Sequence, residues 1–236
     1  MIIFVHYYKK IDFIMANSSF LKSSIAKKVA MALSGLFLIS FLSLHFFINL
    51  TSVFSEEVFN TMSHFMGYNP IIQFVMQPVL IAGVVFHFVM GFVLDLKNRS
   101  ARPIKYANYN GAANASWTSR NMIISGVVVL AFLGLHMYDF WFAEMNYKYI
   151  AVNVIDENRY YEELVHKFES PIRTGLYSLA FVLLSMHLWH GFNSSFQSVG
   201  FNNKYSKSLH KLGYAFAIVV PFGFIFIALF HHFNHI

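Results

Sequence analysis

Five long apolar stretches divide this chain, and they constrain its fold more than any other feature. They run over about residues 29–50, 70–96, 121–142, 172–194 and 209–230. Each is long enough to cross the hydrocarbon core of a bilayer, which takes about 20 residues of helix. Only 12% of the residues are charged, against about 25% in soluble domains. The sequence therefore predicts an all-α membrane protein built as a bundle of five transmembrane helices.

The charges between the apolar stretches predict which way the helices cross. The N-terminal segment, the second loop and the fourth loop are basic, whereas the first and third loops are acidic. Lysine and arginine are in excess on the cytoplasmic side of membrane proteins. The pattern predicts a cytoplasmic N-terminus and a C-terminus on the outside. It also accounts for the net charge of +6, so we expect membrane lipid around the chain and no nucleic-acid partner.

We expect one transmembrane domain over residues 29–236, after a cytoplasmic segment over residues 1–28. Residues 1–14 are too short to span a membrane, and Met15 starts a suitable cytoplasmic lead-in. We interpret residues 1–14 as an over-called start or a tail. The third loop is amphipathic around residues 159–168 and predicts a short surface helix.

Four histidines lie inside four different apolar stretches: His45, His87, His136 and His187. An imidazole in lipid is costly unless it binds something. At 1.5 Å per residue, His45 and His136 fall in the outer half, roughly 10 Å from the level of His87 and His187. One histidine per helix, paired at two depths, predicts two bis-histidine haem sites. Such haem is held non-covalently, because the chain has no cysteine for thioether attachment.

Spacing alone does not separate His187 from His190, which lies three residues later on a similar helical face. The spans hold few carboxylates, which argues against a proton-coupled transporter and a carboxylate-bridged di-iron site. Polar residues at the outer ends of the helices are candidate quinone contacts: Asn49, His64, Gln73 and Asp139.

Five segments of the chain resemble a known family. They read FLSLHFFINL, FNTMSHFMGYNP, VVFHFVMGFVLD, FLGLHMYDFW and MHLWHGFNSSFQSVG. They are similar to the five-helix, di-haem cytochrome b subunit of succinate:quinone oxidoreductases and fumarate reductases, over nearly all of the chain after about residue 18. In that family the ligand in the last segment lies four residues before its first glycine, which implies His187 rather than His190.

The resemblance implies two haem b groups, with His45 and His136 holding the haem distal to the catalytic subunits. His87 and His187 would hold the proximal haem. It also implies a flavoprotein subunit and an iron–sulfur subunit on the cytoplasmic side of a bacterial cytoplasmic membrane. Electrons would pass between the iron–sulfur subunit and a membrane quinone, and the family is associated with menaquinone. The succinate site would lie on the partner subunits, with no catalytic residue for succinate in this chain.

Three further residues are candidates for the surroundings of the haem groups. Lys28 and Arg120 lie at ends of apolar stretches, where a basic side chain would suit the haem propionates. His190 is a candidate accessory polar contact beside the haem.

Two alternatives stay open from the sequence. A di-haem cytochrome b subunit of a hydrogenase or formate dehydrogenase also pairs histidines, but those families typically have four helices and other histidine spacings. A non-redox membrane transporter or passive anchor would bind no haem and would tolerate substitution of the histidines.

Overall fold

The computed structural model describes residues 23–100, 120–201 and 203–234, which form helices and no strand. In these ranges the helices are α1 Ser24–Thr51, α2 Glu56–Tyr68, α3 Ile72–Ser100, α4 Met122–Ile150, α5 Arg159–Glu169, α6 Pro171–Ser198 and α7 Ser206–Asn234. Most of the predicted cytoplasmic N-terminal segment and most of the second loop lie outside the described residues.

The five helices α1, α3, α4, α6 and α7 are long and apolar enough to cross a membrane, with 28 or 29 residues each. Such a helix reaches about 42 Å, which exceeds the roughly 30 Å of a hydrocarbon core. They coincide with the five apolar stretches, so the prediction of a five-helix membrane protein is confirmed. The predicted surface helix in the third loop is also present, as α5.

The first loop contains a helix, α2, that is not predicted from the sequence. Its N-terminus is capped by Ser55, whose Oγ accepts a hydrogen bond from the backbone N–H of Val58 at 3.3 Å. Glu56 and Glu57 fall in its first turn, where the helix dipole favours negative charge. The acidic residues that helped to predict the orientation of the chain are thus also those that stabilise the start of a helix.

The third transmembrane helix is longer than predicted. α4 continues to Ile150, beyond the predicted end at residue 142, so the third loop is correspondingly shorter. The extension carries Glu144 and Lys148, which pair at 2.5 Å one turn apart. Because these charges neutralise each other along the helix, the polar extension stays helical.

Widened π turns occur at the N-terminal end of α3 and in the C-terminal part of α4. They span Ile72–Met76, Met137–Phe142 and Asn146–Ile150. Turns of this kind are rare and frequently lie at functional sites. The turn Met137–Phe142 directly follows His136, and it contains Asp139, which is only 1% exposed.

Helix α6 lies at the centre of the bundle, because it packs against α1, α4, α5 and α7. The main buried apolar cluster lies where α6 and α7 meet α1, α2 and α5. Its members are Ile48, Phe59, Leu164, Phe168, Tyr177, Phe181, Val220, Phe224, Ile227 and Ala228. Gly223 of α7 lies against the ring of Phe46, so closely that any Cβ there would overlap the ring. This glycine lets α1 and α7 approach each other.

The outer surface of the bundle is apolar. No residue of the α-helical part of α3 is buried, and Phe74, Val79 and Phe86 are among the exposed side chains of the whole helix. Lipid tails are as apolar as these side chains, so a bilayer solvates them without the cost that water would impose.

Candidate functional site

The outer histidine pair joins α1 and α4. The rings of His45 and His136 face each other with centroids 5.7 Å apart and planes at 81°. Aromatic side chains surround both rings, with Phe41 stacked on His45 at 5.5 Å and Phe140 at 5.1 Å from His136. The two imidazoles are thus enclosed by apolar groups, and each is the other's nearest polar ring across the helix interface.

The inner histidine pair joins α3 and α6. The rings of His87 and His187 have centroids 6.4 Å apart and planes at 72°. Glycines lie against both rings. A Cβ added at Gly35 would lie 3.4 Å from Cε1 of His87, and one at Gly126 would lie 3.5 Å from Cε1 of His187. The glycines therefore leave room for the imidazoles beside the neighbouring helices.

Serine hydroxyls approach the Nδ1 atoms of the inner pair. Ser34 Oγ lies 3.0 Å from Nδ1 of His87, and Ser125 Oγ lies 3.3 Å from Nδ1 of His187. The outer pair differs, since the nearest side-chain polar atom to Nδ1 of His45 is Nδ2 of Asn49 at 3.4 Å. Asn49 Nδ2 also donates to the backbone carbonyl of His45 at 2.8 Å.

Both histidine pairs fit a haem group, which His45 with His136 and His87 with His187 would hold. Imidazole nitrogens bind transition metals at about 2.0–2.1 Å, so two rings on opposite sides of one ion have centroids about 6 Å apart. The observed separations of 5.7 and 6.4 Å lie on either side of that value. No group of three or more His, Asp or Glu side chains among the described residues could hold a metal ion. Two imidazoles alone suit a metal that brings its own equatorial nitrogens, as haem iron does.

The candidate quinone contacts lie toward the end of the bundle that holds the outer histidine pair. Gln73 of α3 hydrogen-bonds to the hydroxyl of Tyr149 on α4. Asp139 pairs with Arg173 of α6 and accepts a hydrogen bond from the Tyr177 hydroxyl at 2.8 Å. Because the Asp139 side chain is fully buried, its charge is compensated within the protein. Asp139 thus ties α4 to α6 one turn beyond His136.

His64 lies among polar and aromatic side chains. Its ring stacks on Tyr68 with centroids 4.5 Å apart and lies 6.2 Å from the ring of Tyr160. Its Nε2 lies 3.6 Å from Glu157. His64 Nδ1 and the Tyr160 hydroxyl are buried without a hydrogen-bond partner among the described residues. Burial also raises the pKa of Tyr160 above its ordinary value, so its hydroxyl keeps the proton and remains a donor.

A buried ionic cluster beside His64 is absent from the sequence analysis. Glu144 pairs with Lys148 and Arg159, and Arg159 also pairs with Glu163 at 2.6 Å. The side chains of Lys148 and Arg159 are only 5% and 8% exposed. Burial alone would lower the pKa of Arg159, but hydrogen bonds to the two carboxylates outweigh it and hold the pKa above its ordinary value. The spacing of Glu144 and Lys148, one helical turn, is the signal that could have revealed the cluster.

The candidate residues toward the opposite end of the bundle are less enclosed. Lys28 is exposed in the first turns of α1, and Arg120 is exposed just before α4. His190 is partly buried on α6, one turn beyond His187. The structure brings His187, not His190, into ring contact with His87.

A comparison with protein-family models matches residues 98–222 to the family described as succinate dehydrogenase/fumarate reductase transmembrane subunit. The match covers more than half of the 236 residues and includes His136 and His187. Comparisons with curated proteins and with solved structures give no match. The chain belongs to the family of transmembrane subunits of succinate dehydrogenase and fumarate reductase, and it is a multi-pass membrane subunit of such an enzyme complex.

Proposed function

We propose that this chain is the cytochrome b subunit of its complex and that it holds two haem b groups. One would lie between His45 and His136, the other between His87 and His187. The observation that carries the proposal is the pairing of four intramembrane imidazoles from four helices at centroid separations of 5.7 and 6.4 Å. When bound, such groups supply one-electron carriers at two depths in the membrane.

The chain's own residues hold the donors in place. The neutral imidazole is the form that binds iron, and the aromatic enclosure of His45 and His136 disfavours a charged ring. Hydrogen bonds at Nδ1 orient the inner imidazoles, as partners of the second ring nitrogen do in other metal sites. Lys28, Arg120 and His190 are proposed for the surroundings, the two basic residues for the propionates.

The proposed orientation places the N-terminus and the inner histidine pair on the cytoplasmic side. Its support is the basic character of the ends of α1, α3 and α7 that would lie there: Lys27, Lys28, Lys97, Arg99, Lys207 and Lys211. The flavoprotein and iron–sulfur subunits would dock at this face in a bacterial cytoplasmic membrane. The inner pair would then lie nearest the iron–sulfur subunit.

The quinone would bind at the other face, near the outer pair, and menaquinone is the proposed species. His64 is the leading contact, because its Nδ1 and the nearby Tyr160 hydroxyl are buried without partners among the described residues. Asn49 and Gln73 are proposed as further polar contacts. Asp139 would contribute indirectly, because its carboxylate orients the side chains of Arg173 and Tyr177.

The family match disfavours the first alternative from the sequence, and the paired imidazoles disfavour the second. A hydrogenase or formate dehydrogenase subunit is not what the matched family describes. A transporter or passive anchor gives no reason for two imidazole pairs with ring centroids 5.7 and 6.4 Å apart. No other observation favours either of them.

Purification of the complex through a tag on this chain tests the proposed function. We expect a flavoprotein and an iron–sulfur subunit to copurify, and succinate to reduce haem in the preparation. His45→Ala should abolish quinone reduction while succinate still reduces the inner haem. If the partners copurify and succinate reduces no haem, the electron-transfer role is wrong.

A further inference from the structure

A short motif occurs twice in the chain, once in α1 and once in α4. It reads Met-x-x-Ser-Gly and includes Met31, Ser34 and Gly35 in α1. In α4 it includes Met122, Ser125 and Gly126. Each serine lies 11 residues before the outer histidine of its own helix, His45 or His136. The two helices thus carry the same residues at the same two levels.

Both copies of the motif make the same contacts with the next transmembrane helix. Ser34 and Gly35 lie against His87 of α3, and Ser125 and Gly126 lie against His187 of α6. The methionine of each copy contacts a glycine that lies one turn beyond the histidine on the neighbouring helix. A Cβ added at Gly91 would lie 3.6 Å from Cε of Met31, and one at Gly191 would lie 3.4 Å from Cε of Met122. The helix pairs α1–α3 and α4–α6 therefore repeat one packing arrangement.

The hydrogen bonds of Ser34 favour one position for the ring proton of His87. The hydroxyl of Ser34 donates its single proton to the backbone carbonyl of Met31 at 2.7 Å. The contact between Ser34 Oγ and His87 Nδ1 at 3.0 Å must then be donated by Nδ1–H, because a hydroxyl has one proton and accepting lone pairs. Nε2 of His87 is left as the nitrogen with a free lone pair.

The same reasoning applies to the second copy. Ser125 donates its hydroxyl proton to the carbonyl of Met122 at 2.9 Å. Its oxygen therefore accepts from Nδ1–H of His187 at 3.3 Å. The contact is longer than that of Ser34, so we expect Ser125 to contribute less.

The outer pair has no such serine acceptor at Nδ1 among the described residues. Asn49 offers an amide nitrogen to Nδ1 of His45 at a long 3.4 Å, and an amide nitrogen is a donor rather than an acceptor. Nδ1 of His136 is buried without a hydrogen-bond partner among the described residues. The two pairs thus differ in how the second ring nitrogen is held.

We propose that Ser34 and Ser125 are positioning residues that hold the inner histidines in the Nδ1–H form, with Nε2 left to bind the inner haem iron. This inference rests on the proposed function. An acceptor at Nδ1–H makes the imidazole a more basic ligand, which stabilises ferric iron and lowers the reduction potential. The serines act through the histidines, and they act on the inner pair alone.

Redox titration of the haem absorption bands in the purified complex tests the proposal. Ser34→Ala should shift the potential of the inner haem to a more positive value and leave that of the outer haem unchanged. Ser125→Ala should give a smaller shift of the same sign. Ser34→Thr, which keeps the hydroxyl, should stay close to the wild type.

Matched controls lie on the same helix. Ser40 and Ser43 donate to backbone carbonyls of α1 at 3.0 and 2.8 Å and are exposed, so Ser40→Ala and Ser43→Ala should shift neither potential. Equal shifts of both haems in Ser34→Ala, no shift at all, or an equal shift in Ser34→Thr would overturn the proposal. If the wild-type complex holds two haems and one of these results is found, the serine role alone fails. A wild-type complex without haem would instead overturn the proposed function.

Discussion

His45 of α1 and His136 of α4 face each other across the bundle with ring centroids 5.7 Å apart. His87 of α3 and His187 of α6 repeat this relationship at 6.4 Å. A single histidine contact between two helices is explained by a polar interaction in the membrane. Two pairs from four helices, each close to the about 6 Å of two imidazoles on one metal ion, are better explained as two sites of one kind.

Substitution of the inner histidines should remove one haem, and the same one in each case. His87→Ala and His187→Ala each take away one of the two axial nitrogens, so both variants should keep only the outer haem. Haem content per chain and redox spectra of the purified complex measure this. His190→Ala is the matched control, because His190 lies on the same helix and has no ring contact with His87. Loss of the inner haem in His190→Ala, with its retention in His187→Ala, would show that the ligand on α6 is misassigned.

The angle between the imidazole planes predicts the magnetic properties of oxidised haem held at the two proposed sites. Planes at 81° and 72° are close to perpendicular. Perpendicular axial imidazoles leave two iron d orbitals nearly equal in energy, and a low-spin ferric ion then has a strongly anisotropic EPR spectrum. We expect highly anisotropic low-spin signals from both sites. Rhombic signals of the kind given by parallel imidazoles would contradict the ring geometry.

Removal of the Asp139 carboxylate should destabilise the bundle. Its side chain is fully buried and pairs with Arg173 and the Tyr177 hydroxyl. Asp139→Ala leaves Arg173 without its anion, at an expected cost of about 3 kcal/mol. Thermal unfolding of the complex in detergent measures the change.

A second carboxylate at a helix end provides the comparison for Asp139. Asp95 pairs with Arg99 at 2.8 Å, but the two side chains are 30% and 68% exposed. Asp95→Ala should therefore cost below about 1 kcal/mol. Equal losses of stability in the two variants would mean that burial of the Asp139 pair has no energetic consequence.

A side chain at Gly67 should disturb the ionic cluster beside His64. A Cβ there would lie 3.1 Å from Nζ of Lys148 and 3.2 Å from Oε1 of Glu144. Gly67→Ala forces these buried charges to shift, and we expect a loss of about 1–3 kcal/mol. Gly175 has no atom within 4 Å of its Cβ position, so Gly175→Ala should be neutral or stabilising by up to about 1 kcal/mol. A neutral Gly67→Ala in the same unfolding assay would show that the cluster is not tightly packed.

The transmembrane helices were predictable because their signal is local. An apolar stretch of sufficient length specifies a membrane span by its own composition. Helix α2 and the end of α4 carried no such signal. Their charged residues resemble a loop until the cap at Ser55 and the Glu144–Lys148 pair are seen in place.

The surroundings of the site were less predictable, because they depend on which helices are neighbours. Asp139 and Arg173 are 34 residues apart in the sequence. Neither segment carries a local sequence pattern that predicts burial of the aspartate. The Met-x-x-Ser-Gly motif is visible in the sequence. Its role is evident only from the fold, in which α1 packs against α3 and α4 packs against α6, so that each serine contacts a histidine.

The most direct test of the account is the haem content of the purified complex. A dithionite-reduced minus oxidised spectrum, with haem counted per copy of this chain, gives the number and type of the groups. We expect two b-type haems per chain. One haem, or none in a folded preparation, would contradict the assignment of the four histidines to two bis-imidazole sites.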